Sequence, residues 1–531
     1  MTQNLFWTPV IELSRAEELI IKRACKNRKL FIFLRKNRHL IFDHSFQEEL
    51  IDMYRQTGAG VPPIAPALLA MATLLQKYTK VSDNEMLALL FDSRRWQMVL
   101  GCLGAEQSPF GQSTFFDFRM RLISSGMDER ILERTAQIAR ETGDFTKKGL
   151  NIALDSAPLK GHGKVEDCIN LLGHAAKKTI SCIAQLTNHT VAEMAEQMDA
   201  QLFTASSIKA GLDVNWSDPQ EKKEALNQLY CEIESLELWL REHFPQECKT
   251  GELQSSLDTL DVLLQENLEP DLDDGLVKII EGVTPDRQIS ISDPQMRHGK
   301  KSKSKRFNGF KNHIVRDLEE KIILGACTTA ANRSDAEAAE ELIEASLKGE
   351  RTLESLSVDR QYLHAPKVIE LAKNGVKLLC RAPAASNHKD LFNKRMFEID
   401  LDKMQVTCPN GQSADIVLGK KTDFPAQKCD ICVLRSQCTK RKSGQGRSLR
   451  IHKHEDLFQE LSQLEKTKEG REKLRQRTGV EHGLARISQR QDKKARYNGT
   501  RKNTFELRMI CAIQNLERAQ YLESEKLKIA A

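Results

Sequence analysis

The stretch "GLNIALDSAPLKG", Gly149 to Gly161, decides the fold. Before it, apolar residues recur at helical spacing. Here an apolar run, Ile152-Ala153-Leu154, delivers Asp155 and Ser156, and Pro158 closes the segment. A short apolar run bounded by turn residues reads as a strand. A buried strand that ends on a carboxylate needs a reason, and a second stretch repeats the form. In "LESLSVDRQY" Leu353, Leu356 and Val358 alternate, and Asp359 stands at the carboxyl end. Paired in one sheet, the two strands bring Asp155 and Asp359 to the edge where open α/β sheets carry their functional sites. Each aspartate alone is most simply a strand-end or turn residue. Together they suit Mg²⁺, a hard cation that prefers oxygen ligands. Two such ions roughly 3.5–4 Å apart can clamp the attacking and leaving oxygens of a phosphodiester displacement.

Working outward, the chain up to about residue 145 reads as helical. "APALLAMATLLQKYT" carries apolar residues at helical spacing, and Ser82 with Glu85 forms a capping-box pattern. A further helix is expected from about Ser113, after the Pro109/Gly111 turn. Short helices joined by tight turns fit either a plain packing unit or a helix-turn-helix module that reads the major groove. Beyond the first strand, "HAAKKTISCIAQL" and "VAEMAEQM" look helical, and an acidic helical stretch is expected from about 216 to 282. Strands follow in "FNGFKNHIVRD" and "KIILGACTTAA", then a helix capped by Ser334, then the Asp359 strand. This order predicts an α/β core interrupted by a helical insertion.

Charge is distributed in blocks around a net +6. "KKSKSKRFNGFK" holds six cations (Lys300, Lys301, Lys303, Lys305, Arg306, Lys311) and no carboxylate. Residues 251–290 hold ten carboxylates against two cations, and residues 481–510 hold eight cations against three carboxylates. Any one block fits solvated surface; two separated basic blocks point to a polyanion such as nucleic acid. No run of about 18 apolar residues predicts a membrane span. The first residues lack the pattern of a secretory signal, and 13 mostly scattered cysteines suit a reducing cytoplasm. Within "TCPNG…KCDICVLRSQC", however, Cys408, Cys429, Cys432 and Cys438 cluster around a C-x-x-C pair. Four thiolates predict a closed structural Zn²⁺ site, with His452 and His454 as substitute ligands. A redox C-x-x-C leaves Cys408 and Cys438 unexplained.

A third acid would complete the aspartate site. "LRQRTGVEHGLARISQR" offers Glu481, with Arg477 four residues earlier and so on the same helical face. From the residues alone Glu481 does not stand out from its neighbours, and a surface ion pair explains the spacing equally well.

The chain resembles bacterial DDE insertion-sequence transposases, the 1182-like group with a helical N-terminal domain before a split RNase H-like core. The resemblance is carried by "ALDSAPLKG", "SDPQMRHGKKSKSKRFNGFKNHIV", "SVDRQY" and "GVEHGLARISQRQDKKARYNGTRKNTFELRMICAIQNLERA", and by "FDHSFQEELIDMYRQTGAGVPPIAPALLAMATLLQ" and "PFGQSTFFDFRMRL". It implies an α/β RNase H-like core, a mixed sheet flanked by helices, interrupted by helical and Cys-rich insertions and preceded by an all-α domain. The expected divisions are a helical DNA-binding or dimerisation domain (1–145), a first core part (146–198), an acidic helical insertion (199–285) and a second core part (286–400). A Cys-rich, zinc-binding insertion (401–460) and a C-terminal helical core part carrying the Glu (461–531) complete them.

The resemblance further implies that Asp155, Asp359 and Glu481 bind catalytic Mg²⁺ (or Mn²⁺), with Arg477 in the signature around the Glu. It implies binding of double-stranded DNA at inverted repeats, hydrolysis there, and transfer of the 3′-hydroxyl ends to target DNA, in the cytoplasm and by a homodimer holding two ends. Expected DNA contacts are Arg477, Lys300, Lys301, Lys303, Lys305, Arg306, Lys494, Arg496 and Lys502. A nuclease without strand transfer and a regulatory DNA-binding relative are the alternatives. One departure stands out: the family commonly has a small residue, often Gly, between the second Asp and the Tyr, and this chain has Arg360-Gln361-Tyr362.

Overall fold

The computed structural model describes residues 5–54, 63–146, 149–282, 284–302, 304–348, 351–384, 391–492 and 494–530. Lys303 lies outside them. The central sheet is built from β1 (Gly149–Lys160), β2 (Arg297–Lys300), β3 (Arg306–Asp317), β4 (Ile323–Ala330), β5 (Thr352–Ser357) and β6 (Lys377–Leu379). β1 lies between antiparallel β3 and parallel β5, and β6 extends the sheet parallel to β5. β4, and at its start β2, flank the other edge of β3. A meander followed by two parallel strands is a mixed sheet, and the parallel members are reached by helical crossovers, Ala339–Leu347 and Pro366–Lys373.

β1 does not stop at the proline; it runs through Pro158 to Lys160, in register with β3 to the end. β5 accompanies β1 only as far as Ala153. From Asp155 onward β1 is therefore an edge on that side, where proline is tolerated. Strands β1 and β3 meet closely at Gly309, whose φ of +141° and contacts with the Leu159 and Gly161 backbone leave no room for a Cβ.

The helical N-terminal layer and the sheet share one hydrophobic core, from Leu30 and Phe118 through Ile152 and Val315 to Phe505 and Leu516. The helix Thr500–Ala530 joins them. Its middle is buried all round, both its apolar residues (Phe505, Leu507, Met509, Ile510, Ile513, Leu516) and its polar ones (Glu506, Arg508, Gln514, Asn515), because it packs against Met127–Gly143 and Pro66–Thr79 as well as β4. Each such apolar side chain taken fully from water contributes about 1.5–3 kcal/mol. Ion pairs, buried at Lys77–Glu506 and Asp128–Arg508 and partly exposed elsewhere, lie along the same seam. Asp128 pairs with Arg501 and Arg508, Lys77 with Glu506, and Asp83 with Arg119 and Arg496. The Ser82–Glu85 capping box forms, and Ser334 caps a 3-10 turn that leads into the helix Ala339–Leu347.

The acidic segment is not helical throughout. Helices Pro219–His243 and Gly251–Asn267 are followed by a small hairpin, Leu268–Pro270 with Val277–Ile279. Pro270 and Gly275 (φ +74°) end helical periodicity and supply the turn. These elements share a second core with Cys168–Thr187, built on Leu172, Ile180, Leu229, Leu236 and Leu260. The Cys-rich segment carries a third, much smaller core of Phe397, Val406, Ile416, Phe424, Leu449 and Ile451 between two- and three-stranded sheets. No described helix is long and apolar enough to cross a membrane.

Candidate active site

The parallel pairing of β1 with β5 sets Ile152 beside Leu356 and Ala153 beside Ser357. Two residues further along each strand stand Asp155 and Asp359, so strict alternation turns both toward the same face. Asp155 still belongs to β1. Asp359 has just left β5 and caps the turn Arg360–His364, its Oδ1 accepting from the Gln361 N–H at 2.8 Å.

The third carboxylate comes from the helix Thr478–Arg490, which lies across β1 and β3. Gly483 faces Ile314 there, and an added Cβ would come within 3.3 Å of it. The small residue lets the helix sit close and sets Glu481, two residues earlier, over the end of β1. Asp155, Asp359 and Glu481 all line one cavity of about 510 Å³, and Asp359 and Glu481 also line a neighbouring one of about 730 Å³.

Arg477 ties the group together. One guanidinium nitrogen stands 3.2 Å from Asp155 Oδ1, and another donates to Glu481 Oε1 at 2.9 Å. Asp155 is only 14% exposed while Glu481 is 48% exposed. Burial pushes the Asp155 carboxyl up to about 6, opposed by Arg477 and the Ser156 N–H, and reinforced by repulsion from Asp359 and Glu481. Among the described residues, no three His, Cys, Asp or Glu side chains stand at metal-ligating positions as they lie. The donor set nevertheless suits a divalent cation: Asp155, Asp335, Asp359 and Glu481 all line one cavity, and burial, with repulsion from Asp359 and Glu481, disfavours the ionised form of Asp155 in the absence of a cation.

Further polar residues support these acids, with little local signal in the sequence. Ser156 Oγ donates to Asp335 Oδ2 at 2.7 Å, and Lys311 Nζ donates to Asp335 Oδ1 at 2.7 Å. Burial would raise Asp335, but hydrogen bonds from Lys311 and Ser156 hold it below its usual range. Beneath, Tyr362 is fully buried, 3.5 Å from His313 Nδ1, and His313 Nε2 meets Thr329 Oγ1 at 2.9 Å. Burial, outweighing attraction from Asp335, drops His313 to about 4 and keeps it neutral. Tyr362 can be found in sequence only as the aromatic after the second Asp; Asp335 looks like a helix-start residue and nothing more.

Of the expected DNA contacts, Lys300 and Lys301 line the carboxylate cavity and Arg477 lines its neighbour. Lys305 and Arg306 are exposed in the β2–β3 turn region, outside the lining of either cavity. Lys494 bridges to Lys160 and lines a separate cavity with Lys77 and Lys80. Arg496 is engaged by Asp83 at 3.1 Å, and Lys502 is exposed on the C-terminal helix. Cys408, Cys429, Cys432 and Cys438 line one small cavity of about 30 Å³, walled by Phe424, Arg435 and Arg447. Burial raises the Cys438 thiol, and the other three raise it further against the pull of Arg447. His452 and His454 are not in that lining.

A family model described as "Transposase DDE domain" matches residues 283–516, and one described as "Transposase domain (DUF772)" matches residues 19–121. The two matches, on separate parts of the chain, are consistent with an insertion-sequence transposase of the DDE type. The DDE match contains Asp359 and Glu481 but starts after Asp155, which the helical insertion separates from it in sequence and the sheet returns to it in space. No curated protein and no solved structure matches the chain.

Proposed function

We propose that the chain binds the inverted-repeat ends of its element, cleaves DNA phosphodiesters there by metal-dependent hydrolysis, and joins the freed 3′-hydroxyl ends to target DNA. The observation that carries this reading is the convergence of Asp155, Asp359 and Glu481 on one cavity rimmed by Lys300 and Lys301. Bound Mg²⁺ or Mn²⁺ would activate the attacking water or hydroxyl and neutralise charge on the leaving oxygen. Asp155, Asp359 and Glu481 would hold it, and its charge would offset the repulsion among them. Arg477 orients Asp155 and Glu481 and is free to grip a phosphate oxygen with its planar fork once they turn to a cation. Ser156, Asp335 and Lys311 line the same cavity beside Asp155, tied to one another by hydrogen bonds, and buried His313 and Tyr362 lie beneath.

The four thiols are proposed to hold a structural Zn²⁺. What supports this is their common cavity together with the six-residue core of their subdomain, too small to be stable without a staple. Cys408, Cys429, Cys432 and Cys438 would hold the ion, and so held it would brace the segment that separates Asp359 from Glu481.

The test is cleavage of a labelled duplex carrying the flanking element end, with the native chain and Asp155→Asn, in Mg²⁺ and in EDTA. Metal-dependent nicking at the repeat boundary, lost in the variant and followed by joining to a target duplex, is the expected result. Nicking without joining would leave a nuclease. Equal binding by both proteins with no cutting would leave a DNA-binding relative.

A further inference from the structure

The larger of the two cavities is a surface that the carboxylate chemistry does not by itself require. About 730 Å³ in volume, it is lined by Arg360, Arg381, Arg471, Arg475 and Arg477, with Asp359 and Glu481 at one end and Glu465 among the arginines. Its five guanidinium groups face three carboxylates. Arg477 is engaged by Asp155 and Glu481, and Glu465 lies only loosely between Arg360 (3.9 Å) and Arg395 (3.7 Å). Arg471 donates to the Lys466 carbonyl at 3.3 Å, and among the described residues Arg381 and Arg475 have no carboxylate within ion-pair distance. Arg360, Arg381, Arg471 and Arg475 are exposed. Like charges gathered in one cleft repel each other unless an anion joins them, and the arginine fork matches phosphate with two parallel hydrogen bonds.

The position of the cleft names the anion. Asp359, Gln361 and Glu481 belong to both cavities, so the arginine cleft and the lysine-rimmed cavity adjoin at the carboxylates. We infer that the arginine cleft is a second DNA-backbone track, which continues the path of the DNA past the carboxylates from the cavity rimmed by Lys300 and Lys301. This rests on the carboxylate site being a DNA site.

Each phosphate contact steepens the fall of log K with log salt by about 0.9 for duplex DNA. The experiment is anisotropy titration of a fluorescent duplex of arbitrary sequence with the full-length chain, in EDTA, over a series of KCl concentrations. The triple variant Arg360→Gln, Arg381→Gln, Arg475→Gln is expected to flatten the slope by roughly 2–3. The matching triple Arg→Lys variant retains the slope, and Arg241→Gln, far off on the helical insertion, changes nothing. Lys300→Gln with Lys301→Gln flattens it by a further ~2, additively, because the two tracks hold different phosphates. An unchanged slope in a triple Gln variant that melts like the native protein overturns the inference, as does equal loss in Arg241→Gln. Because no cutting is read, the outcomes separate: a flattened slope with a chain that never cuts upholds the track and removes the catalytic reading. Asp155-dependent cutting with an unchanged slope does the reverse.

Discussion

Replacing Asp155 with Asn is expected to stabilise the metal-free protein while abolishing cutting. The carboxyl sits at about 6 in place of its ordinary 3.8, chiefly because it is buried, with Asp359 and Glu481 adding to the effect against Arg477. Between those two values the folded chain holds a proton that the unfolded chain releases. Stability therefore falls as pH rises through that window, and the loss is complete above it. Two pH units at 1.36 kcal/mol each give about 3 kcal/mol. Asn removes this cost, which already includes the opposing attraction of Arg477 at 3.2 Å, leaving a gain of about 3 kcal/mol. The assay is scanning calorimetry in EDTA at about pH 8 and at about pH 4, following the transition of the shared core. The variant should melt a few degrees higher at the upper pH, and the difference should vanish at the lower one. Adding Mg²⁺ should raise the native protein and not the variant, since only a state that binds gains from ligand. A variant that melts no higher than the native chain at the upper pH in EDTA refutes the reasoning.

Glu481→Gln keeps the helix and loses a cation ligand, so cutting of a labelled duplex should fall at least about a hundredfold while anisotropy shows DNA binding retained. His313 is depressed to about 4 by burial, so it contributes stability that is present above its unfolded value near 6.5 and lost as pH falls toward 4. His313→Asn should flatten the acid limb of a stability–pH profile across that window, and an unaltered limb would count against a neutral buried imidazole. Asp128→Ala takes from Arg501 and Arg508 the buried carboxylate they share, while Arg508 keeps Glu129 and Glu341, and should cost about 1–3 kcal/mol, seen as early proteolysis at the seam between the helical layer and the sheet. Cys429→Ser should release zinc, measured with a chromogenic chelator, and expose residues 392–451 to protease; unchanged metal content would remove the zinc reading.

Much of the fold is legible in the residues because it is local. The apolar run ending on Asp155, the alternation before Asp359, the Ser82–Glu85 and Ser334 caps and the C-x-x-C pair are signals within a few residues of each other. Where sequence reading failed, the cause was also physical. Pro158 looked like a stop, but β1 continues through it because β5 has already left that edge. The acidic segment looked helical to its end, but Pro270 and Gly275 turn it into a hairpin.

The sequence by itself determined which residue types were on offer: two strand-end aspartates, a Glu with an Arg four residues before it, basic blocks and four clustered cysteines. Only the tertiary structure decided which of them meet. The β1–β5 register brings Asp155 to Asp359 across some 200 residues, and the close seating of a helix at Gly483 brings Glu481 to both. The same packing assigns Arg496 to Asp83 and gathers Arg360, Arg381, Arg471 and Arg475 into one cleft. These arginines are scattered over more than 100 positions and share no local pattern. A contact between distant segments is set by the burial of whole faces, and no short window of sequence contains both sides of it.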